Sequence, residues 1–146
     1  MLEEALEHLV RGIVDHPEDV PAFAVEKGLH IIGMAQEAFR RALRAGVPQA
    51  CGTDAGTPHN PHGGAPHEVA RMVEWGLSPA KALQAATANA ADLLRLANLG
   101  QVREGMAADL VVWAGNPVED VSALLRPRIV MKAGEVVGGS AAGSPR

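Results

Sequence analysis

Aromatic side chains are nearly missing from this chain. Two Trp, two Phe and no Tyr make up 3% of the residues, although 47% are hydrophobic. Much of the apolar fraction is therefore alanine, which packs backbones closely but contributes little buried area per residue. There is one cysteine, Cys51. It can form neither an intrachain disulfide nor a multi-cysteine zinc site, and a reducing compartment is the simplest setting. A basic excess is also missing, with 13 basic against 17 acidic residues and a net charge of −4. That balance argues against a nucleic-acid partner, which selects for a basic face. The first residues, Met1-Leu2-Glu3-Glu4-Ala5-Leu6-Glu7, lack the basic-then-apolar pattern of a secretory signal. No apolar run approaches the ~20 residues that span a bilayer. No Ser-His-Asp set, P-loop or dinucleotide fingerprint is present. The expectation is a soluble, cytoplasmic protein with no membrane partner. Its 146 residues are a one-domain length able to bury a core.

What is present is punctuated by proline and glycine. Leu2, Leu6, Leu9, Val10 and Ile13 recur at helical spacing and predict a helix over 2–14. Pro17 and Pro21 break it, and 15–33 reads as a loop. Met34, Ala38, Phe39, Ala42 and Leu43 predict a helix over 34–45, ended by Gly46. The short apolar run 47–51 reads as a strand, and 52–64 as a long glycine- and proline-rich loop. Pro66 sits at the first turn of a helix reaching Trp75, and Ser78-Pro79 starts another. Thr87 is placed to cap a helix from Ala88 to about Leu96. After Asn98 the pattern changes to short apolar runs between glycines. These predict a strand over 109–113 and a hairpin of 128–132 with 135–137 around Ala133-Gly134. The small-residue stretch 138–146 reads as a disordered tail.

Chemistry concentrates in one loop. Gly52-Thr53-Asp54-Ala55-Gly56 directly follows the 47–51 run. An acid at the end of a barrel strand, before glycines, is where barrel enzymes carry catalytic groups; the same acid can instead cap its own turn. His59, His62 and His67 follow, so four possible metal ligands lie within 14 residues of chain. None is paired at the i, i+4 spacing of a helical zinc motif. The three histidines are equally compatible with a solvated loop, Glu68 with a first-turn acid favoured by the helix dipole, and Cys51 with packing.

Taken in order, these segments resemble the amidohydrolase superfamily. Gly52-Thr53-Asp54-Ala55-Gly56, Pro61-His62-Gly63 and Glu68 are similar to its last barrel strand and loop. Gly76-Leu77-Ser78-Pro79-Ala80-Lys81-Ala82-Leu83 and Ala86-Thr87-Ala88-Asn89-Ala90-Ala91 are similar to its following helix starts. Leu99-Gly100, Glu104-Gly105 and Ala108-Asp109-Leu110-Val111-Val112 resemble its "L-G…G-x-x-A-D-L-V-V" segment, and Asn116-Pro117, Val130-Met131-Lys132 and Gly134 its closing hairpin. Each motif is short, but their order over about 45–137 is specific. The nearest flavour is the imidazolonepropionase and Xaa-Pro dipeptidase-like branch.

The resemblance implies an α/β fold: a C-terminal fragment of a (β/α)8 TIM-like barrel plus part of a small β-sandwich. Residues 1–97 would carry the last βα elements, and 98–137 strands of the sandwich. It implies hydrolysis of a C–N bond (amide, cyclic amide or dipeptide) through a metal-activated water, with zinc as the metal. Asp54 would be both a metal ligand and the acceptor of the water's proton, with His59 and His62 on the substrate loop. Three departures stand out. The family's His-x-His pair occurs nowhere in the chain, and its middle-strand ligands have no counterpart. A whole barrel takes ~250 residues, so the resemblance covers only the family's last third. Arg95 also stands where the family often has glycine. The chain alone is therefore expected to be inactive and not to retain metal. Its expected partners are the missing N-terminal barrel segment, a small-molecule substrate and a second copy of itself. Two other readings stand beside this one. The chain is a non-catalytic remnant or oligomerising module with open sheet edges, or a small metal-binding domain using Asp54, His59, His62 and His67.

Overall fold

The computed structural model describes residues 22–56 and 60–139, with side chains from Glu26 onward. The expected helix over 2–14 and the tail beyond Gly139 lie outside the described residues. The chain divides into two compact units. One contains a long helix together with Gly56, Asn60 and Pro61; the other contains Pro48–Ala55 and the chain from His62 onward.

The first unit corrects the sequence reading. Residues expected to form a loop up to position 33 are helical, and helix α1 runs without a break over Ala22–Arg44. It starts one residue after Pro21, so proline here precedes the helix rather than interrupting it. Gly28 and Gly33 lie inside and cost about 1 kcal/mol each relative to alanine, which the 23-residue run accommodates. The half-buried stripe is Leu29, Ile32, Phe39 and Leu43, whereas Met34 and Ala38 are exposed. Gly46 ends the helix as expected. At φ +71° it lets its own N–H reach the Leu43 carbonyl while the Val47 N–H reaches that of Ala42, both at 3.0 Å.

In the second unit, α2 spans Ala65–Glu74, α3 Pro79–Ala86 and α4 Ala88–Leu93. All three were expected, but their caps differ from the reading. Neither Ser78 nor Thr87 caps through its side chain. The Thr87 hydroxyl instead donates back to the Leu83 carbonyl at 2.7 Å. Helix α4 stops at Leu93, short of Leu96, because Arg95 turns to φ +58°. The expected strand over 47–51 is not formed. A strand needs a ladder partner, and the backbone there bonds to helices instead, as described below.

The sheet follows the expected pattern. β1 (Leu110–Trp113), β2 (Pro127–Lys132) and β3 (Glu135–Gly138) lie in the order β1-β2-β3, all antiparallel. Ala133 and Gly134 make the β2–β3 turn with φ of +50° and +86°, the left-handed pair that suits a two-residue hairpin. Gly138, expected to begin the tail, closes β3. A 3-10 turn over Val121–Leu125 packs on α2, and α2 on α3. The core is Val69, Met72, Leu77, Ala82, Ala85, Ala91, Ala123 and Leu124. Half of these are alanine, so the helices approach closely while burying little apolar area. Among the described residues no helix is long and apolar enough to cross a membrane.

Candidate functional site

Among the described residues, the segment Pro48–Ala55 bonds to two helices and pairs with no strand. The Cys51 N–H donates to the Ala85 carbonyl, in the last turn of α3, at 2.9 Å. The Gln49 carbonyl accepts from Asn89 Nδ2, in α4, at 2.8 Å, in a half-buried bond between residues 40 apart in sequence. The C=O of residue i and the N–H of i+2 point the same way in an extended chain, so one side of the segment is committed to the α3–α4 junction.

Asp54 follows three residues later with φ +51°. Asp tolerates this left-handed region better than most residues, but it remains uncommon and concentrates at functional positions. Its side chain is exposed. Inside the segment, the half-buried Cys51 thiol is pushed above its ordinary pKa, first by burial and then by the Glu68 carboxylate. Two effects that disfavour the thiolate act together, which is the opposite of nucleophile activation. Glu68 lies in the first turn of α2, as expected.

Among the described residues, the histidines make no metal-holding group with Asp54. His62 and His67 are exposed, and His59 lies outside the described residues. Among the described residues no three His, Cys, Asp or Glu side chains are grouped to hold a metal. Asp54, His62 and His67 thus form no ligand set, and the small metal-binding domain gains no support.

Asp109 provides a contrast. Its carboxylate accepts the Ala133 N–H at 2.7 Å, and the Gly134 N–H reaches the Ala108 carbonyl at 3.1 Å. The acid of the Ala-Asp-Leu-Val-Val run therefore ties the hairpin turn to the start of β1. In the sequence, Asn89 stands out only as part of the Ala86–Ala91 motif. The signal available was an Asn flanked by Ala inside a short helix, a position where its side chain had no evident local use.

The sequence profile of the Amidohydrolase family matches residues 9–137. The chain belongs to this family. Ochratoxinase of Aspergillus niger is 37% identical over 97 residues, covering 64% of this chain and 19% of that protein. Imidazolonepropionase of Anaeromyxobacter dehalogenans is 37% identical over 103 residues, covering 67% of this chain and 24% of that protein. A crystal structure of a Xaa-Pro dipeptidase with bound methionine superposes with a TM-score of 0.73 at 35% identity. It covers 94% of this chain and 34% of that one. The chain thus spans between about a fifth and a third of the length of these relatives, and both branches expected from the sequence are among them. Amidohydrolases are generally metal-dependent, but the described residues do not fit a metal centre by themselves. Asp54 is one oxygen donor, whereas a catalytic zinc site normally uses three protein ligands.

Proposed function

We propose that this chain is the C-terminal part of an amidohydrolase that hydrolyses a C–N bond in an amide, cyclic amide or dipeptide, with Asp54 as its reacting acid. The observation that carries this reading is the likeness to the Xaa-Pro dipeptidase over 94% of the chain. It is supported by Asp54 standing in a left-handed turn at the exit of a segment tied to α3 and α4. Segment 48–55 with α2–α4 is then the end of the barrel, and β1–β3 part of the accompanying sandwich.

Asp54 acts through its carboxylate. It accepts a proton as water adds to the scissile carbonyl carbon, and it returns that proton to the nitrogen as the C–N bond breaks. The remaining donors for a divalent metal, zinc by resemblance, belong to the rest of the barrel, so this chain alone is inactive. Held by Asp54 together with those donors, such a metal would supply acidification of the water and polarisation of the carbonyl. His59 and His62 are assigned to the substrate loop at the pocket mouth, and a cytoplasmic location accompanies the reading.

The test is Asp54→Asn in a polypeptide that includes the missing barrel segment, assayed on Xaa-Pro dipeptides. Turnover falls by about 10²–10⁴-fold, the usual worth of a positioned acid–base group, while circular dichroism is unchanged. Normal turnover overturns the assignment. A non-catalytic, self-associating module is favoured by Val136 and Val137, which are 63% and 61% exposed on β3 at the sheet edge. It requires a concentration-dependent oligomer in sedimentation.

A further inference from the structure

We propose that Asn89 is a positioning residue, holding the Asp54-bearing segment in place through the backbone of Gln49. This rests on the reading of Asp54 given above. The chain from Pro48 to Ala55 has no ladder to hold it among the described residues, because the expected strand is not formed. A segment without a ladder drifts unless its backbone groups are captured elsewhere. Two of its captures lie on the same side and two residues apart: Asn89 Nδ2 to the Gln49 carbonyl, and the Cys51 N–H to the Ala85 carbonyl.

The two anchors differ in kind. Ala85 offers a main-chain carbonyl that any residue would supply. Asn89 offers a side-chain donor that depends on residue type. Asn89 is half-buried in α4, next to the Thr87 junction where α3 ends and α4 begins. Asn has below-average helix propensity, so its presence in a six-residue helix is explained by the bond it sends out of the helix. Three residues beyond Cys51, Asp54 sits in a left-handed turn that most side chains disfavour. Such a turn persists only where the flanking chain is over-determined, and the Gln49–Asn89 bond contributes that determination from 40 residues away.

The experiment is amide hydrogen exchange on the 146-residue chain with Asn89→Asp and Asn89→Leu, each compared with the parent at the same pH. Asn89→Leu keeps the shape and removes the donor. Asn89→Asp sets a carboxylate oxygen against the Gln49 carbonyl oxygen at neutral pH, and regains an O–H donor when acid protonates it. Exchange at Cys51–Asp54 is expected to rise by about three- to tenfold in both variants at neutral pH, the equilibrium factor of one net hydrogen bond. The amides of Ala91 in α4 and of the β2–β3 hairpin stay at parent rates. In acid, Asn89→Asp returns to the parent rate and Asn89→Leu does not. Equal acceleration at Ala91 and the hairpin, unfolding of both variants, or unchanged exchange at Cys51–Asp54 overturns the proposal. Because no turnover is measured, this result is separate from that of Asp54→Asn. A loose segment with Asp54 irrelevant to hydrolysis, and a catalytic Asp54 that ignores Asn89, are distinguishable outcomes.

Discussion

Replacing Gly100 by alanine tests how tightly the chain after α4 is laid against that helix. Gly100 has φ +82°, and a Cβ there would stand 2.7 Å from Ala91 Cβ, 2.8 Å from the Thr87 carbonyl oxygen and 3.0 Å from Ala88 Cα. Comfortable contacts between carbons lie near 3.5–4.0 Å. Two of these three atoms are backbone and the third is a methyl on α4, so none can rotate away. Gly105 provides the control. It has nearly the same φ, +83°, but nothing within 4 Å of the added carbon. The left-handed backbone penalty is common to both, roughly 1–2 kcal/mol per residue, partly offset by the stiffer unfolded chain. Gly105→Ala should therefore cost about 1 kcal/mol. Gly100→Ala should cost about 2–4 kcal/mol, since overpacking adds roughly 1–3 kcal/mol. With an m-value of about 2 kcal/mol/M in urea, the unfolding midpoints fall by about 0.5 M and about 1–2 M respectively. Far-UV circular dichroism during urea titration reads both. Equal shifts would mean that only the dihedral matters and that the close approach to α4 is not real.

Other outcomes follow from the same geometry. Arg95 occupies a left-handed helix end, with its N–H on the Asp92 carbonyl at 2.9 Å and the Leu96 N–H on that of Ala91 at 2.8 Å. Arg95→Gly keeps both bonds and relieves the β-carbon, so it should stabilise by about 0.5–1 kcal/mol and raise the melting temperature by about 1–4 °C; Arg95→Ala should give no gain, and a gain from alanine would refute the dihedral argument. Burial and the Glu68 carboxylate both hold the Cys51 thiol in its protonated form. Alkylation by iodoacetamide at pH 8 should therefore be slower in the folded chain than in urea, and Glu68→Gln should restore part of the rate. Because burial is the larger cause, the variant should remain slower than the unfolded chain, and full restoration would show that the charge, not burial, dominates.

Much of the fold was legible because its signals are local. Pro66 and Pro79 open helices, Gly46 closes one, and Ala133-Gly134 turns a hairpin; each choice is decided within a few residues of chain. The errors share a cause. Residues 22–33 read as a loop because Pro17 and Pro21 break the helical pattern before them, yet the helix begins at Ala22 and carries Gly28 and Gly33 within one long run. The 47–51 run has strand composition, but a strand is a pairwise object, and this segment's backbone bonds to α3 and α4.

The candidate site divides the same way. Asp54 was visible as an acid ahead of glycines, and the ordered motifs from Gly52 to Gly134 identified the family without any structure. Sequence by itself therefore determined the family of the chain and the helix, strand and turn boundaries after Gly64 to within a few residues, and it singled out Asp54 as the candidate acid. Tertiary structure alone decided what each polar residue is for. It tied Asp109 to a hairpin turn and Asn89 to the carbonyl of Gln49, set the Glu68 carboxylate where it disfavours the Cys51 thiolate, and among the described residues gathered Asp54, His62 and His67 into no metal-holding group. The reason is physical. Propensities and caps act over one helical turn of sequence, whereas a hydrogen bond or a ligand set is a distance in space between residues that the chain may separate by 40 positions.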